Sequence, residues 1–173
     1  MTASGSVLDQ ERADLLETLA THRGFLRFTV RHLSDDQARE RTTVSELCLG
    51  GLIKHVTRVE KNWAEFIVKG SAAIGSADVA AFEAHAASFH MEQGESLEGL
   101  LEEYDRVARR TDDLVVSLAS LDLSHLLPEA PWFEPGARWS ARRALVHIIA
   151  ETAQHAGHAD IIREALDGAK TMG

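Results

Sequence analysis

The feature that most constrains this chain is helical periodicity, sustained over four long stretches that carry apolar residues at three- and four-residue intervals and are separated by clusters of turn residues. The first runs from about residue 9 to 32, with Leu15, Leu16, Leu19, Leu26 and Val30 as its stripe. Ser34, followed by Asp35 and Asp36, reads as an N-cap for a short turn. The second begins near Thr43 or Ser45 and carries Leu49, Leu52, Val56, Val59, Trp63 and Phe66 to Lys69 and Gly70, a basic residue before a terminating glycine. The third spans 96 to about 121, with Leu97, Leu100, Leu101, Tyr104, Val107, Leu114, Val115 and Leu118. The fourth opens at Trp139 with Ser140 as N-cap and continues to Asp167 and Gly168. No strand pattern competes, so the expected fold class is all-α, a four-helix bundle with long connecting loops. The 173 residues leave room for one core of ordinary size, hence a single domain over 1–173.

Two links are unusually long. The alanine-rich stretch 71–94 contains His85 and His90 and reads as a loop with a short helix. The stretch 124–138 holds all the prolines, Pro128, Pro131 and Pro135, together with Gly136, which forbids a helix. Lids or binding loops of such a bundle would lie in these links.

Charge excludes one class of partner. Eighteen basic against 27 acidic residues give a net charge of -9, which repels phosphate backbones, so non-specific nucleic-acid binding is not expected. No apolar run approaches the roughly 18 residues a membrane span needs. The amino terminus has no basic-then-apolar signal layout, and the single cysteine, Cys48, has no partner within the chain. The expected location is cytoplasmic.

Nine histidines raise the question of whether any converge. At about 100° per residue, and with His147 as origin, Glu151 falls at roughly 40°, His155 at roughly 80° and His158 at roughly 20°. The apolar residues Ala144, Leu145, Ile148, Ala159, Ile162 and Leu166 cover roughly 60° to 160° in that frame. His155 therefore points into the apolar stripe with Glu151 beside it, while His147 and His158 sit at its border. On the second helix, Cys48, Leu52, Val56, Val59, Trp63 and Phe66 all fall within about 100° of His55, which puts that histidine on the apolar face too. A carboxylate and two imidazoles facing a bundle interior each cost on the order of several kcal/mol to desolvate unless paired or ligated. Glu151 and His155 are one turn apart, with Cβ atoms about 5 to 6 Å from each other, so both can reach one ion. A third ligand from another helix would close a facial set with positions left open for water or substrate.

Plainer readings apply to the same residues. A lone histidine on an apolar face is commonly a hydrogen-bonded core residue, and a Glu-x-x-x-His pair is commonly a solvated ion pair. His147 and His158 read as structural or as supports behind the ligands, with His158 nearer the site. His22, His32 and His125 read as surface or helix-end residues, and His85 and His90 as structural, with a lid role open to them. Cys48, among Leu47, Leu49 and Leu52, reads as a buried structural thiol. Trp63, Trp132 and Trp139 read as core and loop anchors, and Arg138, Arg142 and Arg143 as a solvated helix end.

Two stretches carry a resemblance: S-E-L-C-L-G-G-L-I-K-H-V-T-R-V-E-K-N-W over 45–63, and W-S-A-R-R-A-L-V-H-I-I-A-E-T-A-Q-H-A-G-H-A-D-I-I-R-E over 139–164. The chain resembles the DinB-like (YfiT-like) metal-dependent four-helix-bundle superfamily, close to its mycothiol-dependent maleylpyruvate isomerase branch. The resemblance is specific in these stretches and loose between them. It implies a divalent metal, zinc or nickel, held by one histidine of the second helix and a pair on the last. His55 and His155 match those positions. Glu151 stands where many members have histidine, as in the isomerase branch, and His158 stands where many have glutamine. The implied ligands are thus His55, Glu151 and His155.

The resemblance further implies a thiol S-transferase or thiol-dependent isomerase that uses a metal-bound thiolate of the mycothiol type, and homodimers are common among its members. A carboxylate in the set would make the metal a weaker Lewis acid and the thiolate more electron-rich. Three other readings fit the same residues: a metal-dependent hydrolase with His158 or His147 moving protons, a non-catalytic stress-induced binding protein, and a metal-free hydrogen-bond network.

Overall fold

The computed structural model describes residues 9–75 and 79–171, without the side chains of Val79 and Ala81. The amino-terminal segment 1–8 and residues 76–78 of the first long link lie outside the described residues. In chain order the elements are α1 (Gln10–Thr29), α2 (Asp35–Arg39), α3 (Leu49–Lys69), a 3-10 turn (Gly70–Ala73), α4 (Val79–Ala87), α5 (Leu97–Ser117), β1 (Ser124–Leu126), β2 (Arg138–Ser140) and α6 (Ala141–Asp167). The expected four long helices are α1, α3, α5 and α6.

Local side chains set the helix ends. Asp9, Ser34, Ser96 and Ser140 each accept a first-turn N–H, and at α2 the Gln37 side chain returns the bond to complete a capping box. Three boundaries differ from the sequence expectation. α1 ends at Thr29, with His32 at φ 60° turning the chain away. α3 starts at Leu49 and not at Thr43 or Ser45, because those hydroxyls accept the N–H groups of Ser45 and Leu47 and hold the segment in side-chain turns. α5 stops at Ser117.

The all-α bundle holds, with one small addition at the ends of the proline-rich link. β1 and β2 pair antiparallel, with Ser124 opposite Ser140, His125 opposite Trp139 and Leu126 opposite Arg138. At three residues each, the strands are too short to produce a legible alternation. They close the proline-rich excursion, whose reversal uses Gly136 at φ 74°. The other long link carries the short helix expected of it, α4, and the 3-10 turn before it.

Among the described residues the core falls into two apolar clusters. One takes Leu26 from α1 and Val30 from its C-cap, Leu52 and Val56 from α3, Leu97 and Tyr104 from α5, and Ala159 and Ile162 from α6. The other takes Leu15 and Leu19 from α1, Phe66 and Ile67 from α3, Val115 from α5, and Leu145 and Ile148 from α6. The order along each helix shows that α1 and α6 run one way and α3 and α5 the other. Helices α3 and α5 pack side by side. Parallel neighbours need a connection that travels back the length of the helix, about 30 Å for 21 residues. This is why the 71–94 link is long, and why it passes the middle of α3.

Between the clusters lies a polar layer. Arg23 of α1 donates to both carboxylate oxygens of the fully buried Glu60, at 2.5 and 3.2 Å, and to Asp112 of α5 at 2.8 Å. His55, Thr111, Thr152 and His155 are buried polar side chains as well. Among the described residues no helix is long and apolar enough to cross a membrane.

Candidate functional site

Helix α3 supplies His55 and α6 supplies Glu151 and His155. One donor atom from each lies within 4.8 Å of the others. His155 Nε2 is 3.6 Å from Glu151 Oε2, the separation expected for residues one turn apart. His55 and His155 are buried, with ring centroids 4.8 Å apart, whereas Glu151 is partly exposed at the mouth of the cluster.

The hydrogen bonds behind these rings decide which nitrogen faces the cluster. His55 Nδ1 lies 2.9 Å from Ser88 Oγ, leaving Nε2 free. His155 Nδ1 lies 3.3 Å from His158 Nδ1, again leaving Nε2 on the carboxylate side. His158 is therefore the neighbour that holds His155 from behind. Burial, helped by the imidazoles of His155 and His85 and opposed by Glu151, pushes His55 down to about 3. The His155 imidazole, with help from His147 and against burial, holds the Glu151 carboxyl below its usual range. The cluster thus combines a neutral imidazole and a carboxylate anion with a second imidazole beside them, a donor set suited to a divalent cation. A tetrahedral shell with bonds of about 2.1 Å places ligand atoms roughly 3.4 Å apart, so the side chains need only a modest contraction.

His147 Nε2 is 3.7 Å from Glu151 Oε1 on the opposite side from His155. It packs edge-on against Trp63 and Trp139, which stack on each other at 4.5 Å. Burial lowers its pKa, Glu151 opposes that and Arg143 adds to it, a shift that favours the uncharged ring. Both border histidines of α6 therefore touch the cluster, one on each side.

His55, Glu151 and His147 line a cavity of about 520 Å³. Its outer wall is apolar and aromatic, including Phe82 of α4 and Pro128, Pro131, Trp132 and Phe133 of the proline-rich link, with Arg58 and Asn62 as polar members. The two long links thus form the cavity walls. Trp132 is 69 % exposed, a wall of the cavity and not a core anchor, while Trp63 and Trp139 do anchor the core.

Several other residues are placed differently from the sequence reading. His85 faces the cavity, its ring 5.2 Å from that of His55. His125 is partly buried and bonds the Ile67 carbonyl at 3.1 Å. Arg142 joins Glu11 and Asp122, and Arg143 lies over Trp139, so that helix end is tied down. Cys48 is buried with Sγ 3.9 Å from the Phe89 carbonyl, as a structural thiol would be. Sequence reasoning missed Ser88, Phe89 and Arg58. The one legible hint was the adjacent pair Gly50 and Gly51 inside a helix, which announces a close backbone approach.

A family model described as mycothiol-S-transferase matches residues 14–168. Among solved structures, a conserved protein from Enterococcus faecalis superposes with a TM-score of 0.62 at 14% identity, covering 91% of this chain and 97% of that one. At that identity the likeness is one of fold. No curated protein matches the chain.

Proposed function

The chain belongs to the mycothiol-S-transferase family, and from that premise we propose that it joins a low-molecular-weight thiol of the mycothiol type to an electrophilic carbon, at a divalent cation held by His55, Glu151 and His155. The observation that carries this reading is the convergence of three donor atoms within 4.8 Å on a cluster that opens into a cavity. A cation there supplies the charge that stabilises a thiolate over a thiol near neutral pH.

The chain's own residues do the rest. His158 and Ser88 hold the imidazoles of His155 and His55 from behind. Glu151 bridges the buried end of the cluster and its open mouth, and the ring of His147 stands beside its outer oxygen. Trp63, Trp132 and Phe133 present flat apolar surface suited to a conjugated or aromatic electrophile. In the transfer a sulfur–carbon bond forms, the carbon releases its leaving group with the bonding pair, and the thiol proton passes to solvent.

The test is consumption of a mycothiol-type thiol with monochlorobimane by metal-loaded protein. Turnover is expected to require both metal and thiol and to vanish in His55→Ala. Undiminished turnover in His55→Ala would overturn the assignment. Thiol-independent ester cleavage would favour the hydrolase reading. Full metal stoichiometry with no turnover would favour a binding protein.

A further inference from the structure

The returning link puts one buried hydroxyl behind His55. Ser88 is 2 % exposed, and its Oγ lies 2.6 Å from the His85 carbonyl oxygen and 2.9 Å from His55 Nδ1. A hydroxyl has one proton to donate, and a carbonyl oxygen only accepts. The Ser88 proton therefore points at His85, and a lone pair of Oγ faces the ring. Nδ1 of His55 must then carry hydrogen, and Nε2 must carry the lone pair. We infer that Ser88 is a positioning residue that locks His55 in its Nδ1–H tautomer and so keeps an Nε2 lone pair directed at Glu151 and His155.

The lock has a rigid backing. Phe89 stacks on the His55 ring at 3.8 Å and 19°, which fixes the ring plane. The backbone on either side of Ser88 is held by α3 itself: Arg58 donates to the Ala84 carbonyl, and Lys54 Nζ to that of His90 at 3.2 Å. Gly51 admits the Phe89 carbonyl against the helix. One segment thus supplies the stacking plane, the acceptor for Nδ1 and, through the His85 carbonyl, the partner that orients that acceptor. The consequence for metal binding rests on the cation reading above, whereas the tautomer does not depend on it.

Two measurements test the lock. Long-range proton–nitrogen NMR of metal-free protein labelled at histidine, with His55 assigned by its loss in His55→Gln, is expected to show a protonated Nδ1 and a bare Nε2. Ser88→Ala should lose that signature. By chelator competition, its Zn²⁺ dissociation constant should rise about 10- to 100-fold. Ser88→Thr keeps the hydroxyl and should restore both. A wild-type ring protonated at Nε2, a Ser88→Ala protein with unchanged tautomer and affinity, or a Ser88→Thr protein as impaired as Ser88→Ala would each overturn the inference. Wild-type protein that shows the tautomer but binds no Zn²⁺ would remove the cation reading and leave the lock standing.

Discussion

A Cβ placed on Gly51 would overlap the carbonyl oxygen of Phe89, so the returning link rests directly on the backbone of α3. Relief requires backbone to move, because the obstructing atom is a carbonyl and not the end of a flexible side chain. Gly51→Ala is therefore expected to destabilise the protein by about 3 kcal/mol, the upper end of ordinary overpacking. At Gly50 the obstruction is mainly the Met91 side chain, which can shift, and Gly50→Ala should cost about 1 kcal/mol. Denaturant midpoints of the two variants check the order; a Gly51→Ala protein as stable as wild type would mean the link is not seated this way.

Acid should weaken the metal-free protein through His55. Its folded pKa of about 3 lies below the ordinary 6.5, so between those values the unfolded chain takes up a proton that the folded chain refuses. The contribution is fully present above about pH 6.5 and is lost progressively as pH falls towards 3. Glu151, held below its ordinary value, adds a loss in the same direction at lower pH. From pH 7 to pH 5 the His55 share is about 2 kcal/mol. Urea titrations of wild type and His55→Gln at the two pH values should differ by that amount.

The Arg23–Glu60 pair should be costly to break and cheap to replace. Glu60 is fully buried and Arg23 nearly so, with Asp112 beside them as a partly exposed third partner. Glu60→Gln leaves the guanidinium short of a buried anion and should cost about 3 kcal/mol, while Arg23→Met with Glu60→Leu should fall within about 1 kcal/mol of wild type. Thermal and denaturant unfolding of the single and double variants would separate these outcomes, and equal losses in both would contradict them.

Trp132 separates binding from folding. It is 69 % exposed yet lines the cavity. Trp132→Ala should leave stability within about 0.5 kcal/mol and raise KM for an aromatic electrophile several-fold with kcat little changed. Steady-state kinetics with monochlorobimane would show whether the wall contributes to binding.

The histidine strip was legible because helix geometry is local. Placing Glu151, His155, His147 and His158 on one side of α6 needs only their spacing, and placing His55 on the apolar face of α3 needs only the residues around it. The four long helices were legible for the same reason. The β1–β2 pair and the true start of α3 were not. Three-residue strands and hydroxyls that capture neighbouring N–H groups leave no periodic trace.

What the sequence determined by itself was therefore periodic: an all-α chain whose donor-type side chains lie on inward faces of two helices. The tertiary structure decided what meets across space. It made α3 and α5 parallel, which forces the link between them back past His55 and delivers Ser88 and Phe89 to that ring. It folded the proline-rich link over the mouth of the cluster. These contacts join residues far apart along the chain, so spacing within one helix could not reveal them, and only the packing of the whole bundle brings them together.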